Sequence, residues 1–511
     1  MSFKDQLSEL ANRQKNALAM GGQEKLAKRT EQGYLDARSR VDFLLDQDSF
    51  REVGLLAKSN VKADRDCTPA DGKVSGFGRI YGRDIGIVSN DLTVKGASSS
   101  ETNAKKISYI KNTATRSGMP LVFLGESSGA RIPDSMGAEA MSQAGTDPQQ
   151  YCRRRETPWA SAILGPCFGS STWYSCISDF LVMRKGAVLA VSSARVTSLA
   201  ISETVDSEEL GGWRLHADKT GLIDAVADTD GEALALVRKF LSYLPAHSGE
   251  APPVVPLKDW TAPDKEKLLE LVPVERAKTY DVRKVIRAIA DEDTYFPLKE
   301  RFGKAAVTAL GRIEGQSVGL LATNPMIKGG AMDPDACRKA TGFLVMCDSF
   351  NIPVVLLTDT PGFLVGVEGE KKGAPAHIMN MMHALQLMSM PKISLILRKS
   401  YGQAFLNLGG GRNSDEMAVW TSADVSFMDP GIGASVVYGL NPNDNPEAHA
   451  EATEKLRTDT SAYDMAAVFG VQNVIDPRES RSYLCNALKT HKNRKTNGVG
   501  RHELANWPTY F

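Results

Sequence analysis

The sequence lacks an excess of charge of either sign. Lysine and arginine together number 61, aspartate and glutamate also number 61, and the pI is near 7.0. Proteins that bind nucleic acids present basic patches or stripes to the phosphate backbone. No basic block that alternates with aromatic residues occurs in this chain. The composition therefore argues against a nucleic-acid partner.

Cysteine is sparse, and long apolar runs are missing. The 7 cysteines form no CxxC pair, so no zinc ribbon is encoded. An odd number of scattered cysteines is typical of reduced thiols in a reducing compartment. No run reaches the roughly 18 apolar residues of a transmembrane helix, and the amphipathic start MSFKDQLSELANRQKNAL has no apolar centre of a secretory signal. We expect a soluble, cytoplasmic protein without membrane insertion.

The usual side-chain signatures of catalysis are missing as well. The sequence contains no GxxxxGK[ST] loop, no HExxH and no GxSxG elbow. No Ser/His/Asp set is visible. His377 and His383 lie in a methionine-rich stretch, which favours core packing over metal ligation, and we expect no metal in this chain. If the protein is an enzyme, its main chemical device would be backbone hydrogen-bond donors.

What the sequence does contain is an internal repeat. A chain of 511 residues is too long for one compact core. The segment 76–96 recurs at 309–329, and the segment 119–132 recurs at 352–365. The same offset of 233 residues brings Gly402 onto Gly169 without a gap in the alignment. We interpret the chain as a duplicated unit.

Both repeats show the same order of predicted elements. A β-ribbon with a tight turn (YGRD, EGQS) leads through a Lys-Gly loop to a helix, for which Ser100 and Asp333 are suitable N-caps. Near-continuous apolar strands alternate with helices, which predicts α/β units around a largely parallel sheet. A proline-rich stretch between the repeats predicts domains over 1–245 and 265–511, joined by a linker over 246–264.

Each repeat places a glycine directly after an apolar strand, at Gly169 and at Gly402. A strand that turns into a helix at glycine leaves backbone amides unpaired, and such amides stabilise a phosphate, a carboxylate or an enolate oxygen. A plain turn or a packing contact is the alternative; retention of both glycines in register favours the functional interpretation. Arg131, in a further glycine turn, would meet a phosphate or form a local ion pair.

Characteristic stretches are spread over nearly the whole chain, and each is weak alone. They include DGKVSGFGRIYGR, VSNDLTVKGASSSETNAKKI, SSGARI, GPCFGSSTWYSCISDF, DTPGFLVG, ILRKSYGQAF and VIDPRESR. Together they resemble the carboxyltransferase (β) subunits of the biotin-dependent acyl-CoA carboxylases, in the crotonase superfamily. The resemblance implies an α/β fold with two tandem crotonase-like domains.

The resemblance also implies a reaction and its partners. Carboxybiotin, carried by a biotin carboxylase or biotin carboxyl carrier partner, would donate CO₂ to the α-carbon of an acyl-CoA. The first domain would bind the CoA thioester, and the second domain would bind biotin. The assembly would be a hexamer, a trimer of dimers, with each active site between the first domain of one subunit and the second domain of another.

Individual roles follow from the same resemblance. The amides of Gly169 and Ser170 would form an oxyanion hole for the thioester enolate. The amides of Gln403 and Ala404, after Gly402, would form a second hole for the biotin ureido oxygen. The implied acyl-CoA contacts are Ser128, Gly129, Arg131 and, in the acyl pocket, Leu406. The implied biotin contacts are Gly362, Phe363 and Tyr401.

The chain departs from the family pattern at both holes. Ser170 and Gln403 replace glycines, which keeps the backbone amide in both cases, but the Cβ atom of Gln403 crowds the turn and disfavours a positive φ. Two alternatives remain open: a biotin-dependent acyl-CoA decarboxylase and a noncatalytic CoA-binding subunit. A crotonase-like hydratase or isomerase would need paired glutamates near the first hole, and GPCFGSSTWYSC contains none.

Overall fold

The computed structural model describes residues 2–132, 134–143, 147–256, 265–492 and 502–507. The chain forms two compact units, Met1–Gly249 and Glu250–Phe511. The division falls within the predicted linker 246–264, of which residues 257–264 lie outside the described residues.

The first unit contains eight of the described strands and ten of the described helices. The strands are β1 (Arg51–Glu52), β2 (Lys73–Ile80), β3 (Arg83–Asn90), β4 (Leu121–Ser128), β5 (Trp159–Phe168), β6 (Phe180–Arg184), β7 (Val188–Leu189) and β8 (Ala225–Ala227). The helices are α1 (Phe3–Leu18), α2 (Gln23–Glu31), α3 (Ala37–Leu44), α4 (Glu101–Arg116), α5 (Ala138–Gln143), α6 (Pro148–Tyr151), α7 (Ser170–Cys176), α8 (Ala194–Ile201), α9 (Ser207–Gly211) and α10 (Asp230–Tyr243).

The second unit repeats this plan. Its strands are β9 (Phe296–Leu298), β10 (Ala306–Ile313), β11 (Gln316–Thr323), β12 (Val354–Thr360), β13 (Lys392–Tyr401), β14 (Glu416–Trp420), β15 (Asp424–Ser426) and β16 (Asn473–Ile475). Its helices are α11 (Lys267–Leu271), α12 (Val282–Ile289), α13 (Pro334–Ser349), α14 (Val367–Lys371), α15 (Ala374–Leu387), α16 (Gly402–Asn407), α17 (Pro430–Tyr438), α18 (Pro446–Leu456), α19 (Ala462–Ala467) and α20 (Ser480–Thr490).

The two sheets have matching topologies. The first has the order β1-β2-β3-β4-β5-β6-β8, with β7 paired to the end of β5. The second has the order β16-β14-β13-β12-β11-β10-β9, with β15 paired to the end of β13. The ribbons β2-β3 and β10-β11 are antiparallel, and the strands after them pair in parallel. The predicted α/β class is confirmed, and β5 and β13 lie at the 233-residue offset read from the sequence.

The hairpin turn and the helix caps that the sequence predicts are present in the structure. The tight turn of the first ribbon has positive φ at Tyr81 (52°) and Gly82 (74°), as a two-residue hairpin turn requires. Ser100 caps α4 by accepting a hydrogen bond from the Asn103 amide, and Asp333 caps α13 in the same way at the Ala336 amide. These caps fix where the helices begin, next to the loops that reach the strand ends.

The described residues contain neither a membrane-spanning helix nor a cluster of metal ligands. None of the helices in the described ranges combines the length and the apolar character needed to cross a membrane. In the same ranges, no group of three or more His, Cys, Asp and Glu side chains is arranged to hold a metal ion. All seven cysteines are free thiols.

Candidate active site

The central strand of each sheet ends in a glycine with left-handed backbone. Gly169 follows β5 with φ of 64°, and Gly402 follows β13 with φ of 62°. A short helix begins directly at each turn, α7 at Ser170 and α16 at Gly402. Because both strands run parallel to their neighbours, each turn lies at the carboxyl edge of its sheet. This is the edge where α/β proteins bind ligands.

The amides of both turns are available to a ligand. Neither α7 nor α16 has a side chain that hydrogen-bonds to its first amides. Within the described part of the chain, the amides of Gly169, Ser170, Gly402 and Gln403 donate none of the turn, cap or side-chain hydrogen bonds. Unpaired amides at the start of a helix are donors for an anion.

A second glycine turn lies beside the first in each unit. A Cβ atom on Gly169 would come within 3.3 Å of the Gly129 Cα atom. In the second unit, a Cβ atom on Gly362 would lie 3.7 Å from the Tyr401 carbonyl oxygen. Gly129 and Gly362 have φ of 98° and 124°, which a residue with a Cβ atom rarely adopts. Glycine at these positions lets two strand ends approach each other closely.

The Ser170 side chain makes a contact that the sequence did not reveal. Its Oγ lies 2.5 Å from the Ser99 Oγ. The Ser99 backbone is held against the neighbouring turn by a bridge to Ala130. The next residue of α7, Ser171, accepts a hydrogen bond from the Asn90 side-chain amide at 3.0 Å. Ser170 therefore keeps its amide in the turn and adds a hydroxyl that joins it to the loop of Ser99.

Gln403 fits the second turn without backbone strain. The positive φ belongs to Gly402, and Gln403 is not among the residues of positive φ. Its side chain is exposed and donates from Nε2 to Asn407 Oδ1 at 3.1 Å. Leu406 is half-buried, one turn further along α16, and its Cδ2 would lie 2.5 Å from a Cβ atom on Gly411. The expected conflict between a Cβ atom and positive φ does not arise.

Arg131 lies inside the first unit, where its charge is already paired. Its side chain is 4% exposed, and its guanidinium forms an ion pair with Asp71 at 2.8 Å. Two further hydrogen bonds go to Ser98, at its Oγ and at its carbonyl oxygen. Of the two sequence-based interpretations, the ion pair describes this geometry and the phosphate contact does not. Ser128, one residue before Gly129, is exposed at the strand end.

Tyr401 is buried under the second turn. Its hydroxyl donates to Asp424 Oδ2 at 2.8 Å, and burial raises its pKa to about 12. Arg276 forms an ion pair with the same carboxylate. Because the Tyr401 side chain is only 1% exposed, it supports the turn from below. Phe363, beside the buried Gly362, is half-buried and lies on the turn that follows β12.

Each sheet contains a buried carboxylate three residues before the adjacent glycine turn, which is at Gly129 in the first unit and at Gly362 in the second. In the first unit, Glu126 accepts hydrogen bonds from Arg40 at 2.6 Å and from Arg29 at 2.9 Å. A Cβ atom on Gly165 would lie 2.2 Å from Glu126 Oε1, so only glycine fits there. The repeat brings Arg398 onto Gly165 and Asp359 onto Glu126. Since both oxygens of Glu126 are paired, it is not the free base that a hydratase would need.

In the second unit, the arginine that pairs with the buried carboxylate belongs to the sheet itself. Arg398, on β13, pairs with Asp359 at 3.0 Å and donates to carbonyl oxygens of Pro273, Glu275 and Lys278. Each carboxylate thereby ties a peripheral segment to the end of the central strands. The sequence offered one signal for these pairs, the charged residues within otherwise apolar strands.

Two histidines occupy structural positions. His216 Nε2 lies 2.7 Å from the Leu189 carbonyl oxygen, and burial lowers its pKa. His502 Nδ1 lies 2.6 Å from Ser389 Oγ, so that a Ser/His/Asp set exists with Asp348, although none was visible in the sequence. Asp348 Oδ1 accepts from Ser389 Oγ itself, at 2.9 Å, whereas in a catalytic triad the histidine links the two. The buried cluster fastens residue 502 to the second unit.

The fold and the turns together define a class: a duplicated α/β protein in which each central strand ends in a glycine turn with unpaired amides. A family model, the carboxyl transferase domain, matches residues 28–503. The methylmalonyl-CoA carboxyltransferase 12S subunit of Propionibacterium freudenreichii is 34% identical, over 98% of this chain and 97% of that protein. The propionyl-CoA carboxylase beta chain of Cereibacter sphaeroides is 33% identical, over 96% of this chain and 98% of that protein.

A solved structure agrees with these relatives. The transcarboxylase 12S structure, described as a hexamer assembly with substrate binding to a multienzyme core, superposes with a TM-score of 0.90 at 33% identity, covering 97% of both chains. The chain belongs to the carboxyl transferase domain family. The sequence-based assignment to the carboxyltransferase subunits of acyl-CoA carboxylases is thereby confirmed, and with it the expectation of an enzyme.

Proposed function

We propose that this protein transfers a carboxyl group from carboxybiotin, held by a separate carrier protein, to the α-carbon of an acyl-CoA. The observation that carries the proposal is the pair of glycine turns with unpaired amides, at equivalent ends of β5 and β13. The family match supports the reaction, and the names of relatives support short acyl-CoA substrates such as propionyl-CoA and methylmalonyl-CoA.

The first turn binds the thioester in this proposal. Loss of the α-proton converts the thioester carbonyl into an enolate, and negative charge develops on its oxygen. The amides of Gly169 and Ser170 donate to that oxygen as the charge appears, and one such donor is worth about 3–4 kcal/mol of barrier. The N–carboxyl bond of carboxybiotin would break to release CO₂, the ureido nitrogen would take up the α-proton, and the enolate carbon would form the new C–C bond to that CO₂. Ser128 and Gly129 lie on the adjacent turn, where they line the path of the thioester.

The second turn binds biotin. Biotin supplies a ureido group whose nitrogen carries the carboxyl group. The residues present fit its ureido oxygen, because within the described residues the amides of Gln403 and Ala404, next to Gly402, donate no turn or cap hydrogen bond. Phe363 and Gly362 flank the ring, Tyr401 supports the turn from below, and Leu406 lines the acyl pocket. Arg131 keeps the first turn in place through its ion pair with Asp71.

The site is completed by a second copy of the chain. Large apolar side chains are exposed in both units; they are Val191, Val196, Leu199 and Ile201 around α8, and Phe427, Ile432, Val436 and Val437 around α17. Exposed apolar patches of this kind mark protein interfaces. Together with the hexamer described for the 12S relative, they support a hexamer in which the first unit of one copy faces the second unit of another. A biotin carboxylase or carrier chain is the remaining partner, in the cytoplasm.

Exchange of a labelled carboxyl group tests the proposal. The purified chain is mixed with a biotinylated carrier protein and ¹⁴C-carboxyl-labelled methylmalonyl-CoA, and label on the carrier is counted. We expect transfer that depends on the carrier and is reversed by unlabelled propionyl-CoA. Tight CoA binding without transfer would instead support the noncatalytic alternative and refute the enzyme.

A further inference from the structure

A buried lysine ammonium contacts the loop that also reaches the first glycine turn. Lys73 is the first residue of β2, and its side chain is fully buried. Its Nζ donates to the Ala97 carbonyl oxygen at 2.8 Å and has no second acceptor within the described residues. An ammonium carries three donors. Two of them are left without a protein acceptor, which is costly for a buried charge.

The nearest carboxylate does not neutralise it. Asp71, two residues earlier in the chain, is fully buried and holds the Arg131 guanidinium through Oδ1 at 2.8 Å. Its other oxygen accepts a hydrogen bond from the Ser100 hydroxyl. Both oxygens are therefore engaged, and the charge of Asp71 is already matched by that of Arg131.

A second buried lysine adds to the positive charge. Lys106, on α4, donates to the carbonyl oxygens of Ala70 at 2.8 Å and Lys73 at 2.7 Å. The negative charge of Glu52 raises the pKa of Lys106, but the Glu52 carboxylate is already bound by the Arg38 guanidinium at 2.8 Å and 3.1 Å. Three cations, Lys73, Lys106 and Arg131, thus surround one carboxylate in this part of the fold.

Burial is the largest influence on the proton affinity of these lysines. It lowers the pKa of Lys73 from its usual 10.5 to about 7; Asp71 opposes this shift and Arg131 reinforces it. Burial also lowers the pKa of Lys106 to about 8. The neighbouring Cys167 thiol is neutral near pH 7, because burial raises its pKa to about 12. The cluster would gain from an additional negative charge nearby.

Hydrogen bonds and strand pairing connect the ammonium to the segments that form the first turn. The Ala97 carbonyl oxygen that accepts from Lys73 also accepts from Ser127 Oγ at 3.1 Å. Ser127 pairs with Cys167 across β4 and β5, and Gly169 follows two residues later. The loop after Ala97 carries Ser99, whose hydroxyl contacts Ser170. Lys73 thus supports both segments that form the first turn.

The second unit shows that the fold does not require this lysine. The repeat brings Ala306 onto Lys73, yet β10 and β11 pair in the same antiparallel register as β2 and β3. By contrast, Lys339, the equivalent of Lys106, is retained and donates to the carbonyl oxygens of Phe302 at 3.1 Å and Ala306 at 2.8 Å. One buried lysine is common to both units; the other belongs to the first unit alone.

We propose that Lys73 is an electrostatic positioning residue, whose ammonium stabilises negative charge on the thioester oxygen held at Gly169 and Ser170. The inference rests on the proposed function, and it adds a charged side chain to a site otherwise made of neutral backbone donors. The lysine keeps its proton throughout and transfers none. An anion in the turn raises the proton affinity of Lys73, and a protonated Lys73 in turn favours the anion.

The test replaces Lys73 by methionine, which has a similar length and no charge. We expect Lys73→Met to lower kcat for carboxyl exchange roughly tenfold, because one positive charge that favours the developing enolate oxygen is lost. The KM for the acyl-CoA should change less than about twofold. In the wild type kcat should fall as the pH rises from about 6 to about 9 and Lys73 loses its proton, and this decline should be absent from the variant.

Lys339→Met serves as the control, because it removes a buried lysine that is distant in sequence from the first turn. It should reduce stability and leave the shape of the pH profile unchanged. A Lys73→Met enzyme with wild-type kcat and a wild-type pH profile would overturn the inference. So would an equal loss at every pH accompanied by a rise in KM, which is the signature of a purely structural role.

Stability gives a readout that does not depend on catalysis. The folded pKa of Lys73 lies below its unfolded value, so the unfolded chain binds more protons and stability should rise with pH between about 7 and about 10.5. Lys73→Met should be as stable as the wild type or more stable at pH 6, with a flatter pH dependence. A clear loss of stability at pH 6 would refute the inference. Absence of carboxyl exchange by the wild type would refute the proposed function and leave this measurement valid.

Discussion

Alanine at Gly169 should separate the chemistry of the first turn from its backbone strain. Gly169 has φ of 64°, and a Cβ atom there would lie 3.3 Å from Gly129 Cα, tighter than ordinary van der Waals contact. Left-handed backbone costs alanine about 1–2 kcal/mol. The two strand ends must also separate by a few tenths of an ångström, which shifts the amides away from the thioester oxygen.

The expected decrease in kcat of Gly169→Ala follows from the contribution of the backbone amides that donate to the thioester oxygen. Loss of one oxyanion donor costs about 3–4 kcal/mol, and partial misplacement costs less, so we expect Gly169→Ala to lower kcat roughly 100-fold. The control is Gly82→Ala, at the opposite end of the sheet in the β2-β3 turn, where φ is 74° and no atom lies within 4 Å of the new Cβ. Both variants should lose about 1–2 kcal/mol in urea unfolding.

The comparison is measured by carboxyl exchange and by equilibrium unfolding on the same preparations. Only Gly169→Ala should lose activity, and Gly82→Ala should stay within about twofold of the wild type. Equal losses of activity in the two variants would mean that backbone strain at a positive φ, and not displacement of the amides, lowers kcat. A fully active Gly169→Ala enzyme would refute the assignment of the first turn.

Three further outcomes are expected. Arg40→Met leaves the buried Glu126 with one partner fewer and should cost roughly 3 kcal/mol in urea unfolding, whereas replacement of both residues by apolar ones should restore part of the loss. Ser170→Gly should keep kcat within about fivefold, because the amide remains and only the hydroxyl contact with Ser99 is lost; a 100-fold loss would mean that the hydroxyl itself binds substrate. Leu406→Ala should raise kcat/KM for longer acyl chains relative to shorter ones, and an unchanged ratio would remove Leu406 from the acyl pocket.

The repeat itself accounts for how much of the fold was predictable. A constant offset placed β5 and β13, the hairpin turns and the helix caps correctly, because each of these depends on residues close together in the chain. It also placed Gly169 and Gly402 at strand ends, since period, apolar content and glycine are local signals. The expected conflict between the Cβ atom of Gln403 and a positive φ was wrong, because the residue with positive φ is the preceding one, Gly402.

The features that sequence reasoning missed are contacts between distant segments. Arg40 on α3 reaches Glu126 on β4, and His502 reaches Ser389. Sequence periodicity does not predict such pairs. A charged residue inside an apolar strand indicates that a partner exists, but it does not indicate which residue the partner is. The burial of Lys73 is of the same kind: a lysine at the start of a strand carries no local signal of burial, and its side chain is fully buried.

Infrared spectroscopy of a bound acyl-CoA tests the central claim most directly. A short acyl-CoA with ¹³C at the thioester carbonyl is bound to the assembled protein, and the carbonyl stretch is compared with that in water. Donation by the amides of Gly169 and Ser170 predicts a shift to lower wavenumber that Gly169→Ala removes and Gly82→Ala retains. A bound thioester whose carbonyl stretch lies at or above its position in water would contradict the account.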